Sequence, residues 1–327
     1  METAVPFAFE FEFEFEQAQL SRAMPRGSGI CFQMATEHIL PGYVKVERVS
    51  GTAPYFAYGL INDQANSDGS FVPPVLAQGL SGRTGLTLPV AVEAGPFTTE
   101  LVVTNFGTAA RSVQLTYVAG AIQASGGAAT ITLGMAPAEQ RVIPSWVQYL
   151  RDQSVPGVGT AGPTYAGAVF LTVPAGDVAG LSVGARTSAP RGGGRYGLFY
   201  TGVPYGSAAR TSAWLYSLQQ DEANRSNVAI VNTGEADASP SSFRIELYDG
   251  ATGGLVNVVD GITVNAKGFT QLDSILKKYA PTTAKGYAHV TRASGNTPFL
   301  CYAVITAGGT PGQRSDDGAF VTMDGSD

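Results

Sequence analysis

The sequence predicts an all-β chain of tandem antiparallel β-sandwich modules, each with one short helix. Three observations lead there. First, a block of residues occurs three times. Residues 42–58 match residues 286–302 without a gap, at an offset of 244 (286 − 42), and a fainter copy runs over residues 167–183. A spacing of roughly 120 residues per copy is that of a domain rather than of a solenoid unit. Second, apolar and polar side chains alternate inside the block, as in Val44-Lys45-Val46-Glu47, the pattern of strands with one buried face. Third, 41 of the 327 residues are Gly and only 14 % are charged, against roughly 25 % charged in an average soluble domain. Glycine turns joining short strands account for this balance.

The elements follow in chain order. In residues 7–16 every Phe falls on one face of an extended strand and every Glu on the other. Three readings stand: an edge strand added to this or a neighbouring subunit, a self-associating segment, or a low-complexity stretch marking where the reading frame begins. Residues 1–78 hold this strand and a partial module. Residues 79–209 and 210–327 are two fuller modules. Each opens on an apolar run ending in Asn-x-Gly, namely Asn105-Phe106-Gly107 and Asn232-Thr233-Gly234, read as a strand entering a turn. Helical spacing of Trp146, Val147 and Leu150, and of Leu272, Ile275, Leu276 and Tyr279, predicts a short helix in each, with Ser145 and Asp273 as caps or first-turn residues. Residues 34–39 read as a remnant of this helix in the partial module. The two strands of the repeated block follow. Aligned without a gap, Leu181 and Val183 match Leu300 and Tyr302 and face the core, whereas Ser182 matches Cys301 and faces away.

Composition excludes several function classes. A net charge of −6 argues against nucleic acid, which needs clustered Lys and Arg. No apolar run reaches the length of a membrane span. The two cysteines, Cys31 and Cys301, occupy unlike places and imply no bridge by pattern.

Several groups of residues could carry chemistry. Gly180-Leu181-Ser182-Val183-Gly184 fits the G-x-S-x-G signature of serine hydrolases, but it sits within a strand with no helix after it. His38 and His289 are the only histidines; His289 falls on the outward side of its strand, so Ser182 and His289 are weak catalytic candidates without a triad. The adjacent carboxylates Asp221 and Glu222 point apart on an extended chain. Asn62, Asp63, Asn66 and Asp68 gather oxygen-bearing side chains before Gly69, a set that suits Ca2+ and equally suits a turn. Tyr196, Phe199, Tyr200 and Tyr205, in a Gly-rich stretch, are candidates for stacking on sugar rings. Trp146, Tyr149, Trp214 and Tyr216 are further aromatic candidates, and the two tryptophans also read as plugs of sandwich cores.

The phrases Tyr58-Gly59-Leu60-Ile61-Asn62-Asp63-Gln64-Ala65-Asn66-Ser67-Asp68-Gly69-Ser70-Phe71-Val72-Pro73-Pro74 and Ala229-Ile230-Val231-Asn232-Thr233-Gly234 resemble uncharacterised repeat regions of large secreted proteins from soil bacteria. The resemblance covers the chain from about residue 42 onward. It implies β-sandwich modules outside the cytoplasm, secreted or at the cell surface, and it transfers no catalytic residue. The expected function is a non-catalytic extracellular array for adhesion, spacing or carbohydrate binding, with a polysaccharide or a cell-surface protein as partner. A hydrolase on a β-sandwich scaffold, and a filament subunit assembling through residues 7–16, are the alternatives.

Overall fold

The computed structural model describes residues 42–48, 52, 54–63, 65–66, 68–119 and 127–326. The Phe/Glu strand of residues 7–16, Cys31, His38 and the expected helix remnant at 34–39 lie outside the described residues. The chain divides into a unit ending at Gly59 and a unit from Leu60 to Asp327. In the first, Lys45 pairs with Glu47 at 2.8 Å and the Tyr55 hydroxyl donates to the Val46 carbonyl.

The second unit is all-β, as expected, apart from two short α-helices and one 3-10 turn. It opens with the pair β1 (Gly59–Asn62) and β2 (Gly69–Val72). A middle sandwich follows: β3 (Gly85–Ala94), β4 (Phe97–Asn105), β5 (Arg111–Ala119), β6 (Ala128–Met135), β7 (Gln140–Ile143), α1 (Trp146–Asp152), β8 (Tyr165–Thr172), β9 (Leu181–Arg191), β10 (Gly194–Thr201) and β11 (Val203–Pro204). A C-terminal sandwich then runs through β12 (Ser212–Gln219), β13 (Asn224–Asn232), β14 (Ser241–Asp249), β15 (Leu255–Val264), β16 (Phe269–Leu272), α2 (Ile275–Tyr279), β17 (Lys285–Ser294), β18 (Phe299–Ala307), β19 (Gly318–Thr322) and β20 (Asp324–Ser326).

The two sandwiches pair their strands in the same order. One layer is β11-β3-β8-β5-β6 in the middle sandwich and β20-β12-β17-β14-β15 in the C-terminal one. The other is β10-β9-β4-β7 and β19-β18-β13-β16; in the middle sandwich β3 and β4 also pair next to their turn, which joins its two layers into one nine-stranded sheet. The strands of both sandwiches pair antiparallel. Alternation sets the faces: Phe243, Ile245 and Leu247 of β14 are fully buried, while Arg244, Glu246 and Tyr248 between them point out of the sandwich. Val113, Leu115 and Tyr117 of β5 do the same.

Each helix closes one end of its core, with Trp146, Val147 and Leu150 buried in α1 and Ile275 and Leu276 in α2. Trp146 is thus the core plug its sequence suggests. The expected caps differ. Ser145 holds the N-cap place without a side-chain bond, and α2 starts after Ser274, whose φ of 48° turns the chain sharply. Asp273 instead accepts a hydrogen bond from Gln271.

Asn105 and Asn232 end β4 and β13 and lead into turns, as expected, and each is also a buried bracket. The Asn105 amide donates to the carbonyls of Ala109, Met135 and Ala136, and its oxygen accepts from the Gly107 amide. The Asn232 amide donates to Ser239, Ser241 and Val264, and its oxygen accepts from Gly234. In both sandwiches one side chain ties a turn to two separated strands, which buried polar atoms require.

The gapless alignment of residues 181–183 with 300–302 slips by one residue. Val103 of β4 faces Val183, and its counterpart Ile230 of β13 faces Cys301. Cys301 therefore matches Val183 and lies in the C-terminal core, 3 % exposed. Leu300 and Tyr302 point out of that sandwich, contrary to the expectation. One extra residue before β9 shifts the register, and in a strand such a shift exchanges the two faces.

Those outward residues form the joint between the sandwiches. Ala229, Val231, Phe269, Leu300 and Tyr302 belong to one apolar cluster with the middle core. Tyr200 of β10 packs edge-on against Tyr302 at 5.6 Å and Phe320 at 5.1 Å. On the outer side of β8 and β3, Phe170 and Thr87 are each 1 % exposed, with β16 lying against β8 and the Lys267 ammonium 5.4 Å from the centre of the Phe170 ring.

The exposed edge of β10 is covered by side chains. Asp63 accepts from the Arg195 amide and Asn66 donates to the Arg195 carbonyl. Asp68 accepts from the Gly197 amide and the Ser70 hydroxyl donates to the Gly197 carbonyl. An open strand edge invites further pairing, and three polar side chains between β1 and β2, with Ser70 of β2, occupy it.

Candidate functional site

The outer face of β12, β14 and β17 gathers the largest group of half-exposed rings among the described residues. Trp214 and Tyr216 flank the inward Leu215 on β12, so period-2 geometry sends both outward. Register then brings their neighbours in: Trp214 lies opposite His289 on β17, Glu246 opposite His289, and Tyr248 of β14 opposite Tyr287. Trp214 stacks on His289 with centroids 4.1 Å apart, and Tyr248 on Tyr287 at 5.0 Å with 5° between planes. Tyr216 lies 6.4 Å from Trp214 and 6.5 Å from Tyr287 and is 46 % exposed.

Polar groups border the rings. Glu246 accepts from the Tyr248 hydroxyl at 2.9 Å, lies 3.2 Å from His289 Nδ1 and pairs with Arg244 at 3.2 Å. The bond from His289, then that from Tyr248, holds the Glu246 carboxyl below its usual range. Partial burial and the Glu246 carboxylate raise the Tyr248 hydroxyl. The face is a stacking surface with one carboxylate held by three neighbours.

The sequence-selected residues are dispersed. Ser182 lies on β9 of the middle sandwich opposite Thr104, and His289 lies on β17 of the other sandwich. The Asp221 carboxylate accepts from the backbone amides of Ala223 and Asn224, and closes a turn. Asp63 and Asn66 also cap their own loop, through the amides of Ala65 and Asp68, and Asp68 meets Arg186 at 3.3 Å. With Asn62 beside Gly69, this loop turns its oxygens to N–H donors and a guanidinium. No group of three or more His, Cys, Asp or Glu able to hold a metal occurs among the described residues.

The aromatic stretch at 196–205 is not an open shelf. Tyr200 is 5 % exposed at the joint between sandwiches, which corrects its reading as a sugar-stacking ring. Phe199 sits against Gly184, where a Cβ would lie 2.5 Å from the ring, and Tyr205 sits likewise against Gly85. Tyr196 is half-buried on β10. Cys301 is a buried thiol that burial pushes well above its usual range. Of the two readings of Trp214 from sequence, exposed aromatic and core plug, the structure places it on the outer face, at its centre. No helix among the described residues is long and apolar enough to cross a membrane.

No family model matches the chain, and no curated protein matches it.

Proposed function

We propose that the chain is a non-catalytic array of β-sandwich modules that works outside the cytoplasm in spacing and adhesion, as in the secreted bacterial surface proteins it resembles. The observation that carries this reading is the apolar joint. Tyr200, Tyr302 and Phe320 interlock across two sandwiches, so the modules are fixed to each other rather than strung on a loose linker. A scaffold gains from such fixation, because a rigid spacer delivers its ends at a set separation.

Carbohydrate capture is the second reading, favoured by the rings around Trp214. The stacking geometry counts against it. Trp214 with His289, and Tyr248 with Tyr287, spend ring faces on each other, whereas a sugar needs a free ring face.

An ester and glycoside substrate array on the full chain tests the reading. No turnover is expected; hydrolysis that Ser182→Ala abolishes would overturn it. Small-angle scattering of wild type and Tyr200→Asp is the companion measurement, with a larger radius of gyration expected only in the variant.

A further inference from the structure

We propose that a cavity over β4, β9 and β10 of the middle sandwich binds a small zwitterion of the α-amino-acid class, held between Glu100 and Arg195. The inference goes beyond the scaffold reading and lies apart from the aromatic face.

The cavity measures about 280 Å³ and is lined by Thr98 and Glu100 of β4, Arg186 and Ser188 of β9, Arg195 of β10 and Ser145 before α1. Its charges are unevenly used. The Arg186 guanidinium donates to the Asp68 carboxylate at 3.3 Å and to the Ser70 hydroxyl. Arg195 donates to the hydroxyls of Ser188 and Thr98 and to the Ser188 carbonyl, and its guanidinium meets no carboxylate among the described residues. Glu100 lies opposite Arg186 in register, yet its carboxylate has no hydrogen bond or ion pair among the described residues. An acceptor-only group and a donor-only group thus face the same space with capacity to spare.

The corresponding station of the C-terminal sandwich is used up. Glu100 faces Arg186 and Thr98 faces Ser188; in the same register Asn227 faces Val304 and Arg225 faces Thr306. The Asn227 side chain accepts from the Ser274 amide at the entry of α2, and Arg225 pairs with Asp316 at 2.9 Å. The Glu100 carboxylate makes no such bond to the chain entering α1, and the cavity lies there instead. The strand order is kept without that bond, so the carboxylate is left to a ligand. Thr98 and Glu100 share the outer face two residues apart, about 7 Å, and Arg195 is anchored over Thr98. A molecule with an ammonium and a carboxylate on one carbon spans such a gap, ammonium to Glu100 and carboxylate to Arg195, with a charge-assisted bond at each end. A simple anion is repelled by Glu100 and a simple cation by Arg195. No aromatic ring lines the cavity for a sugar to stack on.

Calorimetric titration and thermal unfolding of the full chain test this, with glycine and alanine as probes and acetate, methylammonium and glucose as comparators. The two amino acids are expected to bind and to raise the melting midpoint, and each comparator to bind about tenfold more weakly or worse. Glu100→Gln is expected to weaken glycine by about tenfold or more. It is also expected to leave the melting midpoint of the unliganded protein in place, because the carboxylate has no partner to lose, and to bind acetate better than wild type does. The proposal is overturned if neither amino acid binds, if Glu100→Gln leaves glycine binding untouched, or if glucose binds in preference to both. A Glu100→Gln protein that is less stable without ligand would make Glu100 a support of the fold, and would overturn it too.

Discussion

The outer faces at Phe170 and at His289 occupy the same place in two sandwiches of one strand order, yet one is buried and the other open. Under cover the station is built from Thr87, Thr116, Ala168 and Phe170, mostly small groups that let another sheet approach. In the open it is built from Trp214, Tyr287, Tyr248 and His289, whose rings stack on one another. The sheet beneath is common to both, so the surface side chains, not the fold, decide whether a neighbour sits there.

The sharpest way to break this comparison is to truncate both stations. Phe170→Ala leaves a cavity at the joint and is expected to cost about 3–5 kcal/mol. His289→Ala loses the stack on Trp214 and the contact with Glu246, two cross-strand pairs at a half-exposed place, and is expected to cost about 1–2 kcal/mol. Urea denaturation of the two variants measures the gap, and equal losses would mean that the joint adds nothing to stability.

A smaller effect separates the buried brackets from the exposed turns. Asn232→Ala strands the Val264 and Ser239 carbonyls and the Gly234 amide and is expected to cost about 2 kcal/mol. Asn224→Ala, at the half-exposed start of β13 beside the Asp221 turn, is expected to stay within about 0.5 kcal/mol. Thermal unfolding of the pair checks this.

The carboxyl of Asp317 supplies a pH signature. Burial, and then Asp68 beside it, raise it from 3.8 to about 6, with Arg186 nearby opposing. The folded state therefore holds this proton more tightly than the unfolded chain. Its contribution is complete below about pH 4 and is lost as pH rises through about 6. Asp317→Asn is expected to flatten that part of the stability-versus-pH curve and to raise stability at neutral pH. An unchanged slope would separate Asp317 from Asp68. Least of all, calcium or a chelator is expected to leave the melting midpoint in place, because Asp63 and Asp68 already serve β10; a calcium-dependent rise would return them to a metal role.

Much of this architecture was legible in the residues. Helical spacing located α1 and α2, and alternation located the strands, because both periods are local. The slip at Cys301 was not legible: one added residue in a loop is silent in a gapless match yet exchanges the faces of a strand. The aromatic face was half legible. Trp214 and Tyr216 around Leu215 point outward by alternation alone, but only register shows that β12, β14 and β17 bring Trp214, Tyr248 and Tyr287 together. The role of Asp63, Asn66 and Asp68 depends on β10, more than a hundred residues away, and no local pattern reports that.

The hairpin residues clasping Arg195 and Gly197 act as a chain terminator does in polymer chemistry. Had another strand answered those amides, it would have displayed a fresh row of its own, and growth could have continued without limit. Carboxylate, amide and hydroxyl tips consume the reactive row and regenerate none. A molecule so rich in β-structure can thus sit crowded among its own kind without templating fibrils from that margin.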